Sequence, residues 1–346
     1  MKGYQFAKLL FIGWVALLLF GCNSTGQSFK ETGIQKSLTL TLDTYLDANL
    51  DDDDAGMAIM VIKDGELVYR NAKGMANKNI GLSIGNDTAF RLASVSKPFT
   101  AMAVMQLYEQ QKVSFDMPII TILPELSFAW QDITIDHLLR HQSGIPDFLN
   151  DLKLDDWIDD LTNQMVLDHF SVYDQLEFIP GSRSEYSNSG YLLLAEIIER
   201  VSGERFEDYM MNHFFEPFGM TDSYINDEYS SPRVNDALNY ATQTTLFGHS
   251  SYNVNGSTGQ VSSLNDIENF IKVLFQGQVV SSETINLYAN RINHDGSSDG
   301  FRTLMVLFQQ ENWQLVILAN DGLATTDHVY VHKLVVDYYK AQKTSD

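Results

Sequence analysis

The strand-forming residues lie near both ends of the chain, and this distribution limits the possible folds more than any other feature. Residues 57–69 read as two apolar runs joined through Asp64-Gly65, a strong hairpin signal. Residues 301–319 form a second strand pair, whereas residues 118–275 carry mainly helical patterns with loops. The sequence therefore predicts an α+β fold: an antiparallel sheet built from both termini and flanked by helices as an α/β/α sandwich, with an inserted, mainly helical lobe.

The first 22 residues have the pattern of an export signal. Lys2 and Lys8 precede an apolar run that is too short for a membrane span, and the run ends at the only cysteine of the chain, Cys22. Residues 19–22 resemble a bacterial lipobox, which implies cleavage before Cys22 and lipidation of its sulfur. An ordinary N-terminal anchor with an incidental cysteine is the alternative. A lipidated protein would lie in the bacterial cell envelope, and Asn23 after the cysteine favours the outer membrane, facing the periplasm.

Behind this leader, the sequence predicts one large domain. The 346 residues, 44% of them hydrophobic, suffice for a sizeable core, and leucines recur at helical spacing across residues 38–50. The predicted boundaries are a signal peptide at 1–21, a lipidated cysteine with a flexible tether at 22–36, and a domain at 37–342, whose sheet takes residues 37–92 and 280–342 and whose helical lobe takes residues 93–279.

Charge and cysteine content exclude several classes of partner. Acidic residues outnumber basic ones 45 to 23, and no basic run stands out, so nucleic acid is not an expected partner. A single cysteine permits neither an internal disulfide nor a cysteine-based metal site. His137 and His141 are four residues apart, but no third ligand accompanies them, so we predict no metal and no other cofactor.

The chain contains one Ser-x-x-Lys, formed by Ser94 and Lys97, at the start of an apolar helical pattern. Positions three apart share a helix face, so the two side chains would stack on each other. A lysine in a dry environment loses its proton, and it could then activate the serine as a nucleophile. The Ser94 amide would lie near a helix N-terminus, where a developing oxyanion is favoured. The alternative is a helix-capping serine followed by a solvated lysine.

Two further segments offer polar groups to such a pair. Residues 180–191 form a Pro/Gly/Ser-rich stretch that leads into an apolar helix, and it presents Tyr186 and Asn188. Two other Tyr-x-Asn triplets occur, so the triplet alone carries no weight, and a surface tyrosine is the alternative. Residues 294–297 read His-Asp-Gly-Ser and could lie on a strand, where the glycine would let a substrate backbone approach closely. The same residues are typical of a turn, so the pattern alone leaves a site and a turn equally open.

These three segments, in this order, resemble the penicillin-recognising serine hydrolases, and within them the class C β-lactamase-like family. Related Ser-x-x-Lys and Lys-Thr-Gly motifs mark penicillin-interacting enzymes. Supporting matches are Lys63-Asp64-Gly65 and the segments 90–97, 138–146, 180–191, 259–263 and 318–320, and the similarity covers about residues 37 to 340.

The resemblance implies an active site between the sheet and the helical lobe. Ser94 would attack a carbonyl to form an acyl-enzyme, while Lys97 and Tyr186 would share the acid and base duties. Asn188 would bind substrate or orient Lys97. The amides of Ser94 and Ser297 would form the oxyanion hole, close to Gly296. His294 would stand where penicillin-binding members have lysine.

Two departures from the family pattern bear on the substrate. His294 and Asp295 replace the lysine and threonine that attract a substrate carboxylate, which argues against efficient β-lactam hydrolysis. The stretch between residues 275 and 294 is short and lacks the extra strand that family members often carry there. We therefore expect an esterase or peptidase that acts on a small-molecule or peptide ester or amide.

Two other functions are compatible with parts of the sequence. Residues 296–300 read Gly-x-Ser-x-Gly, the nucleophile elbow of α/β-hydrolases, but that elbow must lead into a helix, whereas residues 301–308 look like a strand. A catalytically weak or inactive, lipid-anchored binding protein that retains the fold is the second alternative, because fold does not fix function.

Overall fold

The structure is a computed structural model, and it describes residues 33–151, 161–226, 233–240, 254–288, 292–298, 300–308, 312–320 and 327–343. The predicted signal peptide and Cys22 lie outside these ranges and stay predictions. No helix among the described residues combines the length and the apolarity needed to cross a membrane.

The helices and strands of the described chain have the following bounds. The helices are α1 (Gly33–Asn49), α2 (Ser96–Glu109), α3 (Ile135–Leu139), α4 (Phe148–Asp151), α5 (Asn163–Ser171), α6 (Asn188–Ser202), α7 (Phe206–Met210), α8 (Leu264–Phe275), α9 (Ser282–Tyr288) and α10 (Asp327–Lys343). The strands are β1 (Met57–Lys63), β2 (Glu66–Lys73), β3 (Met75–Asn77), β4 (Leu82–Ser83), β5 (Phe90–Arg91), β6 (Tyr224–Ile225), β7 (Gln260–Ser262), β8 (His294–Ser298), β9 (Phe301–Phe308) and β10 (Trp313–Ala319).

The main sheet joins the two ends of the chain. Its strand order is β2-β1-β10-β9-β8, and every neighbouring pair is antiparallel. The central pairing runs from Met57 opposite Ala319 to Lys63 opposite Trp313. The prediction of a sheet built from both termini is confirmed, and β8 forms one edge of it within the described residues.

The two hairpins of the sheet are tied together at their turns. Asp64 and Gly65 both have positive φ, at 54° and 80°, as the turn favoured by Asp-Gly requires. The Asp64 amide donates to the Asn312 carbonyl at 2.8 Å, and the Asn312 side-chain amide donates to the Asp64 carboxylate at 2.8 Å. The turn chemistry thus fixes the register that aligns β1 with β10.

Side chains alternate across the sheet and give it two apolar faces. Ile59 and Ile317 face the layer made by α1 and α10, where Leu42 and Val335 join the same buried cluster. Residues on the other face, Met60 among them, belong to the larger core of the helical lobe. The result is the predicted α/β/α arrangement, with both faces of the sheet covered.

Helix α2 is the centre of the helical lobe. Its side chains are buried almost all round, as expected for a helix enclosed by others. The ring of Phe99 lies 4.1 Å from that of Phe270 on α8, and α2 also packs against α6. A small sheet of order β5-β7-β6 stands beside the start of α2, so β5 delivers the chain directly to Ser94.

Several boundaries differ from those predicted from the sequence. Helix α1 begins at Gly33, inside the segment predicted as tether, and α6 begins at Asn188, three residues before the apolar pattern starts. Helix α9 falls in the segment assigned to the sheet, yet the Tyr288 hydroxyl donates to Asp136 of α3 at 2.6 Å. Apolar periodicity marks the packed turns of a helix and misses its first, polar turn.

Candidate active site

Ser94 lies in a strained turn just before α2. Residues Ala93–Val95 form a single 3₁₀ turn, and Ala93 adopts a left-handed φ of 48°, which is uncommon for a residue with a side chain. The turn is held from the sheet, because the Thr303 hydroxyl of β9 donates to the Leu92 carbonyl at 2.7 Å. Backbone strain of this kind persists only where neighbouring contacts hold the conformation in place. Here the strained turn sets the position of the Ser94 side chain.

Lys97 is fully buried beneath Ser94. Its amine donates to the Ser94 hydroxyl at 3.1 Å and to the Asn188 side-chain oxygen at 2.8 Å. A third bond, also 2.8 Å, goes to the Ser257 carbonyl, so each amine proton has an acceptor. Burial disfavours the charged form and lowers the pKa of Lys97 to about 7, although the negative charges of Asp147 and Asp295 oppose the shift. A neutral amine is therefore available near neutral pH.

Tyr186 contacts both Ser94 and Lys97. Its hydroxyl lies 2.8 Å from the Ser94 hydroxyl, and the Lys97 amine is 4.8 Å from its ring centroid. Desolvation raises the pKa of Tyr186 to about 12, so the phenol keeps its proton at neutral pH. The imidazole of His141 flanks the ring, and its Nδ1 accepts from the Ser187 amide at 3.3 Å. These contacts hold a protonated phenol next to the Ser94 hydroxyl.

Asn188 is fixed by a carboxylate that the sequence did not reveal. Asp147 accepts two hydrogen bonds from Asn188, one from the backbone amide and one from the side-chain amide, both at 2.9 Å. Because the NH₂ end of the side chain is held by Asp147, its oxygen faces Lys97. Asn188 is also the first residue of α6, where a carboxylate interacts favourably with the exposed amides and the helix dipole.

The His-Asp-Gly-Ser segment is a strand. Residues His294–Ser298 form β8, and Gly296 pairs with Thr303 of β9. A Cβ at Gly296 would come within 2.4 Å of the Leu92 carbonyl and 2.3 Å of the Thr303 hydroxyl, so only glycine lets β8 lie against the Ser94 turn. The ring of His294 lies 5.9 Å from that of Tyr186, and burial lowers the pKa of its imidazole.

A cleft of about 220 Å³ opens beside Ser94. Ser94 and Ser297 both line it, as the resemblance implied for the two oxyanion-hole amides. Asn188 lines it as well, whereas His294 lies in a separate depression towards α10. The arrangement unites a half-buried hydroxyl, a buried amine with a lowered pKa, a protonated phenol and an open space for a substrate, which are the parts that acyl transfer to serine requires.

The structure decides between the alternatives that the sequence left open. The alternative of a solvated lysine is wrong, because Lys97 has no exposed surface. The α/β-hydrolase elbow is also wrong, because β8 is followed by β9 and not by a helix. Of the three Tyr-x-Asn triplets, only Tyr186 and Asn188 contact the Ser-Lys pair in the described residues.

Three contributors to the site were missed from the sequence: Asp147, the Ser257 carbonyl and the left-handed Ala93. Asp147 directly follows the Gly144-Ile145-Pro146 segment, so its position in that motif was a usable signal. The other two are backbone features with no residue signature. Among the described residues, no group of three or more His, Cys, Asp or Glu side chains is arranged to hold a metal ion.

Comparison with known protein families identifies the class. The family model described as Beta-lactamase matches residues 46–292, which is more than half of the chain. The chain therefore belongs to the Beta-lactamase family, in agreement with the predicted resemblance.

Two relatives match at similar identity. The chain is 26% identical over 315 residues to Protein flp of Staphylococcus aureus (strain NCTC 8325 / PS 47), covering 81% of this chain and 61% of that protein. It is 26% identical over 310 residues to Penicillin-binding protein 4* of Bacillus subtilis (strain 168), covering 76% of this chain and 67% of that protein. The chain thus spans 61% of the length of Protein flp, the more widely aligned of the two.

A solved structure shares the fold over nearly the whole chain. The D-amino acid amidase from Ochrobactrum anthropi SV3, complexed with L-phenylalanine amide, superposes with a TM-score of 0.73 at 22% identity. The match covers 91% of this chain and 99% of that one. At this identity the likeness establishes the fold alone.

Proposed function

We propose that the protein is a serine hydrolase that cleaves an ester or amide through an acyl-Ser94 intermediate. The observation that carries this proposal is the contact of the buried Lys97 amine with the Ser94 hydroxyl at 3.1 Å. Burying a lysine away from water destabilises its charged form, which lowers the stability of the fold. A lysine buried next to an accessible serine is explained by a catalytic role, whereas a purely structural role would not offset that loss. Family membership and the amidase fold neighbour support the same reading.

The two shifted pKa values divide the acid and base roles. Neutral Lys97 takes the proton of Ser94 as the serine oxygen attacks the substrate carbonyl. Protonated Tyr186, 2.8 Å from the same oxygen, donates a proton to the leaving group, which departs to give the acyl-enzyme. Water then attacks the ester carbonyl and transfers its proton back through the same groups, and the carboxylic acid leaves with Ser94 restored.

The oxyanion hole is assigned to the backbone amides of Ser94 and Ser297. Both residues line the cleft, and Gly296 brings β8 against the Ser94 turn. Amides fixed in a turn and a strand stabilise developing charge without reorganising during the reaction.

The cleft favours simple esters and peptidic amides over β-lactams. A β-lactam presents a carboxylate, and on β8 the positions that would attract it hold His294, whose pKa is lowered, and the exposed Asp295. A neutral imidazole and an anionic side chain provide little attraction for a second anion.

Active-site labelling tests the proposal. A fluorophosphonate probe should label the wild type and the Ser37→Ala control, which removes an exposed hydroxyl on α1, but not Ser94→Ala. Turnover of phenyl esters, a D-amino acid amide and a chromogenic cephalosporin should be slowest for the cephalosporin. Absence of labelling in the wild type, or equal labelling of Ser94→Ala, would favour a binding protein that retains the fold.

The location of the protein is a separate proposal. We infer that Cys22 carries lipid and that the domain is held at the outer membrane of a bacterial envelope, facing the periplasm. Labelled palmitate should enter the expressed wild type and not Cys22→Ser, and failure of the wild type to incorporate it would contradict the anchor.

A further inference from the structure

The Lys97 amine depends on a backbone carbonyl for its orientation. It donates to the Ser257 carbonyl and to the Asn188 side chain, both at 2.8 Å. A neutral amine has two protons and one lone pair. When these two acceptors take both protons, the lone pair is left to face the Ser94 hydroxyl, 3.1 Å away, whose proton it has to accept. The position of the Ser257 carbonyl therefore decides how well Lys97 is aligned with Ser94.

The residue before Ser257 packs closely between two helices. The Thr100 hydroxyl of α2 donates to the Gly256 carbonyl at 2.8 Å. Gly256 has a left-handed φ of 87°, and a Cβ added there would collide with the Tyr191 carbonyl and the Ala195 methyl group of α6. Residues 255–257, called the carbonyl segment below, thus reach Lys97 through a space that admits only glycine at its centre.

Asn163 of α5 pairs with the backbone of Asn255, at the start of the carbonyl segment. The Asn255 amide donates to the Asn163 side-chain oxygen at 2.8 Å, and the Asn163 side-chain amide donates back to the Asn255 carbonyl at 3.5 Å. A carboxamide that bonds both backbone groups holds them as a neighbouring strand would. Asn163 is the first residue of α5, which Thr162 caps, so the pairing starts from a fixed point.

Glu207 of α7 binds the side chain of the same asparagine. The Asn255 side-chain amide donates to the Glu207 carboxylate at 2.5 Å, and hydrogen bonds to an ionised group are short and strong. Asn255 is 6% exposed, whereas the Glu207 side chain is 17% exposed and also pairs with Arg205 at 3.0 Å. Glu207 therefore keeps its charge while it fixes a buried partner. Two helices thus hold the backbone and the side chain of Asn255.

We propose that Asn163 and Glu207 are positioning residues that act through Asn255 to hold the Ser257 carbonyl against the Lys97 amine. This inference rests on the proposed acyl-Ser94 function. It has a consequence that a purely structural role lacks. A carbonyl acceptor favours the charged form of an amine, so displacing the carbonyl should lower the pKa of Lys97 and also misalign its lone pair.

The pH profile of phenyl ester hydrolysis tests this role, with kcat expressed per Ser94 labelled by fluorophosphonate. Asn163→Leu should lower kcat by about tenfold and Glu207→Leu by about threefold, because the carbonyl moves away from the amine. In both variants the rising limb of kcat/KM should move to lower pH by about half a unit. Asp147 and Asp295, whose charges raise the pKa of Lys97, remain in place.

Two matched variants separate the hydrogen bond from other effects. Glu207→Gln removes the same charge as Glu207→Leu but keeps an acceptor for Asn255, so it should recover most of the lost activity. Gln164→Leu changes the exposed neighbour of Asn163, whose side chain donates to Asp168, and it should keep the wild-type kcat and limb.

The outcomes distinguish the positioning role from the hydrolase function. An unmoved limb, or an unchanged kcat per labelled site, in both leucine variants would overturn the positioning role, whatever their unfolding free energy. Equal losses in Glu207→Gln and Glu207→Leu would also overturn it, since the charge and not the hydrogen bond would then matter. If Asn163→Leu does not fold, the partly exposed Glu207 position decides. A wild type with neither Ser94 labelling nor ester turnover would overturn the proposed hydrolase itself.

Discussion

The two sides of Ser94 differ in how completely their polar atoms are paired. On the catalytic side, a chain of hydrogen bonds runs from Asp147 through Asn188 to Lys97, and on to Ser94 and Tyr186. On the cleft side, the buried polar atoms of Asn226, Gln260 and Ser257 have no partner within the described residues.

The fully paired side is the one suited to chemistry. Groups that move protons and stabilise charge must be fixed before the substrate arrives, because reorganising them during the reaction would add to the barrier. The unpaired atoms on the cleft side have almost no accessible surface, so they act on the stability of the fold. Substitutions that disrupt the paired side should have the largest effects on activity.

Removing the amine of Lys97 should nearly abolish activity. Lys97→Met should lower kcat/KM for phenyl ester hydrolysis by about 10²–10⁴-fold, because Ser94 loses its base. Lys63→Met, which removes a lysine from the surface hairpin, is the matched control and should keep the wild-type rate. A near-normal rate for Lys97→Met at neutral pH would show that another group activates Ser94.

Adding one methyl group to Gly296 should disturb both sides together. In Gly296→Ala, the new Cβ meets the Leu92 carbonyl and the Thr303 hydroxyl, so β8 must move away from the Ser94 turn. We expect a loss of about 1–3 kcal/mol in unfolding free energy and a fall in kcat/KM. At Gly81 an added Cβ meets nothing within 4 Å, so Gly81→Ala should leave kcat/KM unchanged. Denaturant melts and ester kinetics measure the two effects, and an unaltered Gly296→Ala enzyme would refute the tight packing.

Neutralising Asp147 should shift the pH profile of the reaction. The Asp147 carboxylate stabilises the charged form of Lys97, so Asp147→Asn should lower the pKa on the rising limb of kcat/KM from about 7 by about one unit. Asp168→Asn, on α5 and away from the site, should not move it. If the limb moved to higher pH, or stayed in place, Asp147 would not act on Lys97 through its charge.

The buried lysine should also make stability depend on pH. The pKa of Lys97 is about 7 in the folded protein and about 10.4 in the unfolded chain, so the unfolded state binds more protons between those values. The unfolding free energy should therefore rise with pH across this window, by up to about 1.4 kcal/mol per unit. Denaturant melts should show that the unfolding free energy of the wild type, relative to that of Lys97→Met, is higher at pH 9 than at pH 6. A constant difference would mean that Lys97 is charged in the folded state.

Local chemistry made much of the fold predictable. The Asp64-Gly65 turn between apolar runs was predictable because its backbone conformation favours those two residues. Ser94 and Lys97 were found because their contact spans less than one helical turn. Tyr186 and Asn188 were placed by the order of motifs in the resembling family.

The parts that escaped prediction depend on contacts between distant segments. Asn226 and Gln260 carry no individual signal in the sequence, yet the pairing of β6 with β7 puts both in the cleft wall. Asp147 accepts a hydrogen bond from Asn188, although the two residues are 41 positions apart in the sequence. No spacing rule covers such pairs, because the chain between them can fold in many ways.

The sequence by itself determined the sheet built from both ends of the chain and the Ser94-Lys97 pair, since the first follows from residue periodicity and the second from neighbours within one turn. Tertiary structure alone decided that Lys97 is dry, and dryness is what lowers its pKa. It also decided which buried polar atoms around Ser94 have hydrogen-bond partners among the described residues. Burial and pairing are properties of the space that several distant segments enclose, and that space exists only once the chain has folded.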